Sequence, residues 1–374
     1  MPNQRMIEDR SFKIGNEVFS ENKVLIIAEL GTAHGGDIRK ARELVAAAAE
    51  AGADCVKFQL VYAEEILHPN TGAVPLPGGL IRLFDRFKDL EVPLDFFSEL
   101  KETAEAAGLL FLCTPFGLRS ARELHSLGVR AMKIASPELN YLALLDEVAS
   151  YGLPTLLSSG VSRLADIERA LDSVPVDRSC LLHCVTAYPA PEDDYNLRVL
   201  ASIRTVFGVP VGVSDHSLDP ELVPSLAVTV GACAMEKHFC LSRDDDGLDD
   251  PIALPPSDFA RMGRAVREAS RLGSEASLEA IVKERGAERV RAVLGDGVKR
   301  LAPSEKQNYE RTNRSIHALR AISAGEVIRA GDIACLRTEK VLRPGLGPEW
   351  ETSVIGRSAK NDIPSGEGIR FQDI

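Results

Sequence analysis

No stretch of this chain approaches the roughly 18–20 consecutive apolar residues that a membrane-crossing helix needs. Its opening, MPNQRMIEDR, is polar and lacks the apolar core of a secretory signal. Neither a membrane span nor a cleaved leader is therefore expected. Cysteine is scarce and unpatterned: seven in 374 residues, an odd number, with no CxxC pair. That argues against a disulfide framework or a thiolate metal knuckle and fits reduced thiols in a cytoplasmic protein. Cationic excess is also missing, with 44 Lys and Arg against 55 Asp and Glu, a net charge of −11. A nucleic acid is excluded as the main partner. A small anion is not, because a local pocket can be cationic on an acidic protein. Finally, no GxGxxG follows the first apolar run, which counts against an open doubly wound dinucleotide fold.

What the chain does contain is alternation. Apolar runs occur at VLIIAE (24–29), ADCVKFQ (53–59), LFLCT (110–114), AMKIAS (131–136), TLLSS (155–159), CLLHC (180–184), VGVSD (211–215) and CAMEKHF (233–239). Continuous apolar runs of this length read as strands buried on both faces of a parallel sheet. Amphipathic stretches lie between them, such as IRKARELVAAAAEAG (38–52) and DFFSELKETAEAAG (95–108), each ending in a stop glycine. Eight such β–α units over about 250 residues predict a (β/α)8 (TIM) barrel. We expect that barrel over residues 1–270, a charged helical linker over 271–312 and a small domain over 313–374. Within the small domain, two loosely related segments carry the turns SAGE and PSGE. Residues 60–92 are too long for an ordinary βα loop and read as a lid or specificity element.

In such barrels the reacting groups stand at the C-terminal ends of the strands. The polar residues here cluster there: Glu29 and then His34; Lys57 and Gln59; Thr114; Lys133, Ser136 and Glu138; Ser158 and Ser159; His183, Thr186 and Tyr188; Ser214, Asp215 and His216; Glu236, Lys237 and His238. Taken singly, each has a bland reading, since a strand-end Ser or Thr commonly caps the next helix. Cys184 and Cys240 read as core thiols, and DDDGLDD (244–250) as a solvated acidic loop with at best one functional carboxylate. Together the set is harder to dismiss. Two lysines among hydroxyls suit a phosphate with a carboxylate beside it. His216 and His238, on neighbouring strands, can share one divalent metal.

Several segments match a known family: IIAELGTAHGGD (26–37), AGADCVKFQ (51–59), TPF (114–116), KIASPELN (133–140), LLSSG (156–160), LLHCVTAYPAP (181–191), VGVSDHS (211–217) and MEKHF (235–239). In these the chain resembles the sialic acid synthase family, which includes the N-acetylneuraminate, legionaminate and pseudaminate synthases. Residues 313–374, with GDIACLRTEKVLRPGLG (331–347), resemble that family's antifreeze-like (SAF, β-clip) domain. The resemblance implies condensation of phosphoenolpyruvate with an open-chain N-acyl amino-hexose, with release of phosphate. It implies Mn2+ or Mg2+ on His216 and His238. It implies phosphoenolpyruvate contacts from Lys57, Thr114, Lys133, Ser136, Ser159, Ser214 and the position of Thr186. Glu29 would act at the reacting carbons, and Gln59, Glu138, Tyr188 and Asp249 would face the sugar. It further implies a domain-swapped homodimer in which an arginine of one small domain, Arg337 before Arg343, reaches the partner's site.

The chain departs from the family pattern after the first strand, where Ala33-His34-Gly35-Gly36 replaces an Asn-His-Asn-Gly sequence, and at Thr186, where an Asn is common. The change at Thr186 alters one phosphate contact; the 60–92 loop also lacks the family's pattern, and taken together the departures bear on the sugar more than on the phosphoenolpyruvate chemistry. A related synthase acting on a phosphorylated aldose would need a second cationic cluster, and the sequence offers none. A non-catalytic binding module would not need Lys57, Lys133, His216 and His238 together.

Overall fold

The apolar runs fold as strands whose every residue is buried or nearly so. The computed structural model describes residues 11–76, 79–245, 247–339 and 341–374. The polar opening of the chain, Pro77 and Gly78 of the long loop, Asp246 of the acidic loop and Lys340 lie outside the described residues. The strands are β1 (Leu25–Gly31), β2 (Cys55–Leu60), β3 (Leu110–Pro115), β4 (Met132–Ile134), β5 (Thr155–Ser158), β6 (Ser179–Cys184), β7 (Val211–Asp215) and β8 (Ala234–His238). All eight run parallel in one sheet, and β8 pairs with β1. The ring is nearly closed: β3 and β4 lie side by side at the one seam without a ladder between them.

Eight helices cover the ring: α1 (Ile38–Glu50), α2 (Leu94–Ala106), α3 (Leu118–Ser126), α4 (Leu142–Ser150), α5 (Leu164–Ser173), α6 (Val199–Phe207), α7 (Leu222–Thr229) and α8 (Pro256–Leu272). Asp37 caps α1 by accepting from the Arg39 N–H, and Gly52 and Gly108 just past α1 and α2 take φ of +85° and +76°. Those left-handed positions are where glycine costs least.

Strand alternation gives each side chain one of two destinations. Ile26, Ala28, Leu30, Val56 and Phe58 point outward into the main core against the helices. Leu25, Ile27, Cys55, Leu112, Leu156 and Leu182 point inward and fill the floor of the barrel. A hairpin that the apolar pattern does not reveal, Phe12–Ile14 with Glu17–Phe19, plugs that floor with Phe12, Ile14 and Phe19.

The long loop over 60–92 has structure of its own. It carries a short helix (Ala63–Ile66), a hairpin (Ala73–Leu76 with Gly79–Arg82) and a further short helix (Leu83–Lys88). The linker begins with helices α9 (Ser274–Arg285) and α10 (Ala287–Leu294), broken at Gly273 and Gly286, and then runs extended. Glu305 fastens that extended part to the barrel mouth, accepting from the Val161 N–H at 3.2 Å and the Thr186 N–H at 2.9 Å.

The small domain pairs β9 (Arg314–Ala318) with β10 (Ile333–Arg337) around Ile316, Ile328, Val354, Ile363 and Ile369. Its two related segments bridge each other at Ile322 with Ile363 and at Val327 with Ser358. The domain lies over the mouth of its own barrel: Leu67 bridges to Arg337, Asn70 Nδ2 donates to the Ser365 carbonyl at 3.1 Å, and Asn140 Nδ2 donates to the Arg314 carbonyl at 2.9 Å. The swapped arrangement implied by resemblance places this contact on a partner, whereas here the linker returns the domain to the same chain.

Three strand-end residues take the outward destination and leave the site. His183 Nε2 lies 2.7 Å from the Tyr195 carbonyl. Lys237 Nζ meets Asp215 Oδ2 at 2.6 Å, both side chains fully buried, and Asp215 also accepts from the Ser217 N–H at 2.8 Å. A buried charge that loses its partner is left uncompensated, at a cost of about 3–5 kcal/mol. Lys237→Met should therefore lower the urea midpoint strongly, and Asp215→Asn added to it should recover part of the loss. A Lys237→Met protein with the wild-type midpoint would show that the pair is not structural.

Candidate active site

On the inward parity the apolar floor gives way, toward the C-terminal strand ends, to Glu29, Lys57, Gln59, Thr114, Lys133, Ser158, Ser214, Glu236 and His238. These line a cavity of about 180 Å³ together with Ser136, Cys184, Tyr188, His216, Asp249, Phe87, Phe116 and Arg337. Register places them at one level. Glu29 stands opposite both Lys57 and His238, Ser214 stands opposite Glu236, and Gln59 opposite Thr114.

The centre of the cavity is an ionic cluster. Lys57 Nζ lies 2.6 Å from Glu29 Oε2, 3.8 Å from Glu236 Oε1 and 3.3 Å from Thr114 Oγ1. Lys133 Nζ lies 3.6 Å from the same Glu236 oxygen and donates to Ser158 Oγ at 2.7 Å. Ser214 donates to Glu236 Oε1 at 2.9 Å, and Gln59 Nε2 donates to Glu29 Oε1 at 2.7 Å. Burial pushes both ammoniums down. For Lys57 the two carboxylates overcome it and the value rises, while Lys133, with Glu236 as its near anion, is lowered. Glu236 resists ionisation through burial, but Lys133 and Lys57 pull it down to about 2. Its Oε2 is buried without a hydrogen-bond partner.

The histidine pair sits beside this cluster, ring centroids 5.4 Å apart, with Tyr188 stacked on His216 at 4.3 Å. His216 Nδ1 lies 2.8 Å from the Val185 carbonyl, a contact that a protonated Nδ1 satisfies; burial pulls the ring down, but Cys184 and that carbonyl raise it to about 9, so Nε2 can hold a cation only once its own proton has left. His238 Nδ1 faces Asp249 Oδ2 at 3.7 Å, and burial lowers this ring below the usual range, favouring the neutral form. Among the described residues no group of three or more His, Cys, Asp or Glu is arranged to hold a metal. A cation here would rest on the two imidazoles, with water and substrate oxygens completing its shell.

Five residues singled out in the sequence lie elsewhere. Ser159 takes the opposite parity, donating to the Leu182 carbonyl at 3.2 Å, so the inward hydroxyl is that of Ser158. Thr186 does not line the cavity; its N–H is taken by Glu305 and its hydroxyl is buried without a partner. Glu138 is fully buried, enclosed by Arg314 and Arg337. Arg343 is occupied within the small domain, at 2.6 Å from Asp373 Oδ2. His34 is packed between Phe58 and Phe96 and does not line the cavity. Glu236 stood among the strand-end polar residues without an assigned role, and Arg314 was not singled out in the sequence. Glu236 shares the parity of Ala234 and His238, a usable signal; nothing in the sequence marks Arg314.

The NeuB family model matches residues 44–277, and the SAF domain model matches residues 313–374. The chain belongs to the NeuB family. It is 32% identical over 359 residues to N,N'-diacetyllegionaminic acid synthase of Campylobacter jejuni, covering 93% of this chain and 99% of that one. It is 30% identical over 371 residues to pseudaminic acid synthase of the same species, covering 96% and 99%. Among solved structures, the spore coat polysaccharide biosynthesis protein of Bacillus subtilis aligns over 97% of this NeuB-family chain and 99% of its own, at 31% identity and a TM-score of 0.81.

The Glu236 cluster has a signed pH dependence. A carboxyl held near 2, below its ordinary 4.5, stabilises the fold fully above about 4.5 and loses that contribution as pH falls toward 2. The gap in urea midpoint between wild type and Glu236→Gln should therefore be widest at neutral pH and close across that window. A gap independent of pH would show that Glu236 is not ionised between the two lysines.

Proposed function

We propose that this chain is a nonulosonic (sialic-type) acid synthase, condensing phosphoenolpyruvate with an open-chain N-acyl amino-hexose and releasing phosphate by C–O cleavage. The observation that carries this reading is the buried Lys57–Glu236–Lys133 cluster, ringed by Thr114, Ser158 and Ser214, directly beside the His216–His238 pair. Phosphoenolpyruvate brings a phosphate and a carboxylate, and the two ammoniums with the strand-end hydroxyls and Ser136 are the donors that match them.

Mn2+ or Mg2+ on His216 and His238 would polarise the sugar aldehyde as a Lewis acid. C3 of phosphoenolpyruvate attacks that carbonyl carbon and forms the new C–C bond. Water adds at C2, and the C2–O bond to phosphate breaks. Glu29 is the group we assign to the cationic centre at C2 and to the proton of the incoming water. Its carboxylate is held by Gln59 and Lys57 at the junction of β1 with β2. Gln59, Tyr188, Asp249 and Arg337 then face the sugar. A 2,4-diacetamido hexose and N-acetylmannosamine are both compatible acceptors. The reading places the enzyme in the cytoplasm, consistent with seven free, buried cysteines.

Among the described residues no second cationic cluster lines the cavity, which disfavours an acceptor with its own phosphate. The direct test is phosphate release from phosphoenolpyruvate with 2-acetamido hexoses, 2,4-diacetamido hexoses and phosphorylated aldoses, each product read by mass spectrometry. Turnover confined to the phosphorylated aldoses would overturn the reading. Glu29→Gln should keep phosphoenolpyruvate binding while turnover falls about 100- to 10,000-fold; near wild-type phosphate release would remove Glu29 from the chemistry.

A homodimer that exchanges small domains, as the family resemblance implies, would run the Glu138–Arg337 contact between chains. Co-expressing Lys57→Met and Arg337→Gln chains distinguishes the two arrangements. Closure within one chain predicts no activity beyond the sum of the two variants, and exchange predicts recovery in mixed dimers.

A further inference from the structure

The extended part of the linker holds the barrel at the loops that follow β5 and β6. Its residues Pro303–Glu305 form a single 3-10 turn, and the proline fixes the backbone at the first position. Glu305 Oε1 reaches back to accept from the Ala302 N–H at 3.2 Å, a capping-box contact. Asp194, in the loop after β6, accepts from the Ser304 N–H at 2.9 Å and pins the turn to the barrel. Glu305 is buried in consequence, and its Oε2 serves two main-chain donors at once, the N–H groups of Val161 and Thr186.

Val161 needs that support. Its φ of +42° lies in the left-handed region, which a β-branched residue seldom adopts and which persists only where the surroundings over-determine it. The linker supplies those surroundings from both sides: Glu305 takes the N–H, and Asn313 Nδ2 donates to the carbonyl at 3.1 Å. Lys299 Nζ donates to the Ser159 carbonyl at 2.9 Å, and Asn308 Nδ2 to the Thr186 carbonyl at 3.0 Å. Gly160 lies between the held residues. Its N–H donates to Ser136 Oγ at 3.0 Å, and a Cβ at this position would collide with Ser136 Oγ and Thr186 Oγ1. Ser136 lines the cavity, whereas Glu305, Asn313, Lys299 and Asn308 do not. With a lone pair of Ser136 taken by Gly160, the hydroxyl keeps its proton to donate.

We propose that Glu305 is a positioning residue for phosphoenolpyruvate: from outside the cavity it holds Val161 and Thr186, so that Gly160 fixes the Ser136 hydroxyl where phosphoenolpyruvate binds. The proposal rests on the synthase reading given above and concerns its phosphoenolpyruvate half alone. The same linker runs on into Arg314, the first residue of β9, so the connection to the small domain also sets the geometry of this pocket.

The test uses the full chain and three readouts: calorimetric affinity for phosphoenolpyruvate, KM for the accepted amino-sugar at saturating phosphoenolpyruvate, and hydrogen exchange. Glu305→Ala should weaken phosphoenolpyruvate binding about tenfold or more, the scale of lost charge-assisted hydrogen bonds, and leave the sugar KM unchanged. Glu305→Gln keeps an oxygen for the two N–H groups and should recover part of the affinity. Because Glu305→Ala strands two buried N–H groups and can loosen the fold, Asn313→Ala is the second variant. It releases Val161 from the carbonyl side only and should weaken phosphoenolpyruvate binding in the same direction, with wild-type exchange in β1. Wild-type affinity in both Glu305→Ala and Asn313→Ala would overturn the proposal. So would equal losses for phosphoenolpyruvate and for the sugar, which would mark a general weakening of the fold. The synthase reading fails separately: a wild-type protein that binds phosphoenolpyruvate but turns over no amino-sugar would remove the acceptor, and the affinities of the variants would still decide the role of Glu305. A wild-type protein that binds no phosphoenolpyruvate would overturn both.

Discussion

In a parallel barrel a strand side chain enters either the interior or the layer between sheet and helices, and the choice alternates along each regular stretch of strand, as in β1 up to the register shift after Glu29. Everything at this site follows from that constraint combined with register. Because β8 pairs with β1 and β1 with β2, His238, Glu29 and Lys57 stand at one height on three adjacent strands. Because β7 pairs with β8, Ser214 reaches Glu236. A one-residue slip would exchange these groups for Phe58, Lys237 and Asp215, which belong to the outer layer. The apolar floor below and the inserted hairpin residues Phe12, Ile14 and Phe19 close the other end, so the polar ring is reachable only from the mouth.

Once the polar groups are forced together, charge becomes the difficulty. Two buried ammoniums without an anion between them would each carry a desolvation cost of several kcal/mol. Glu236 lies within 4 Å of both and compensates them in the resting protein. One of its oxygens accepts from Ser214 and lies near both lysines, while the other is buried without a hydrogen-bond partner. The lysines are unequal. Lys57 is gripped by Glu29 as well and holds its proton firmly; Lys133 leans on one carboxylate and a hydroxyl.

Much of this was legible in the sequence because it depends on local pattern. Eight runs buried on both faces fixed strand number, and stop glycines such as Gly52 and Gly108 marked helix ends. Strand-end position alone, however, does not give parity at the final residue, where a strand can stop one position early. That is why the strand ends offered Ser158 and Ser159 together, and Asp215 and Lys237 beside the inward residues; the choice of Ser159 over Ser158 came from the resemblance. Arg314 was invisible for a different reason. Its partner Glu138 is 176 residues away, and only domain docking brings them together.

The residues that would read phosphoenolpyruvate and those that would read the sugar are built on different supports. Lys57, Thr114, Lys133, Ser158 and Ser214 belong to strands or their last residues, rigid elements shared around the ring. Phe87, Asp249 and Arg337 come from the inserted loop, the acidic loop and the small domain. Of the segment after β1, Thr32 lines the cavity, but the turn that follows it does not. His34 is buried between two phenylalanines, and Gly35 and Gly36 take φ of +55° and +84°, a turn that asparagine tolerates less readily than glycine. Neither Ala33 nor Gly35, which stand where the family pattern has asparagines, lines the cavity, and the strand that carries Glu29 is undisturbed by that change. Discrimination among acceptors must then fall on the loop and small-domain side, where Arg337 is held by Glu138. Such a division lets acceptor preference change by loop substitution while the strand-borne phosphoenolpyruvate chemistry stays as it is.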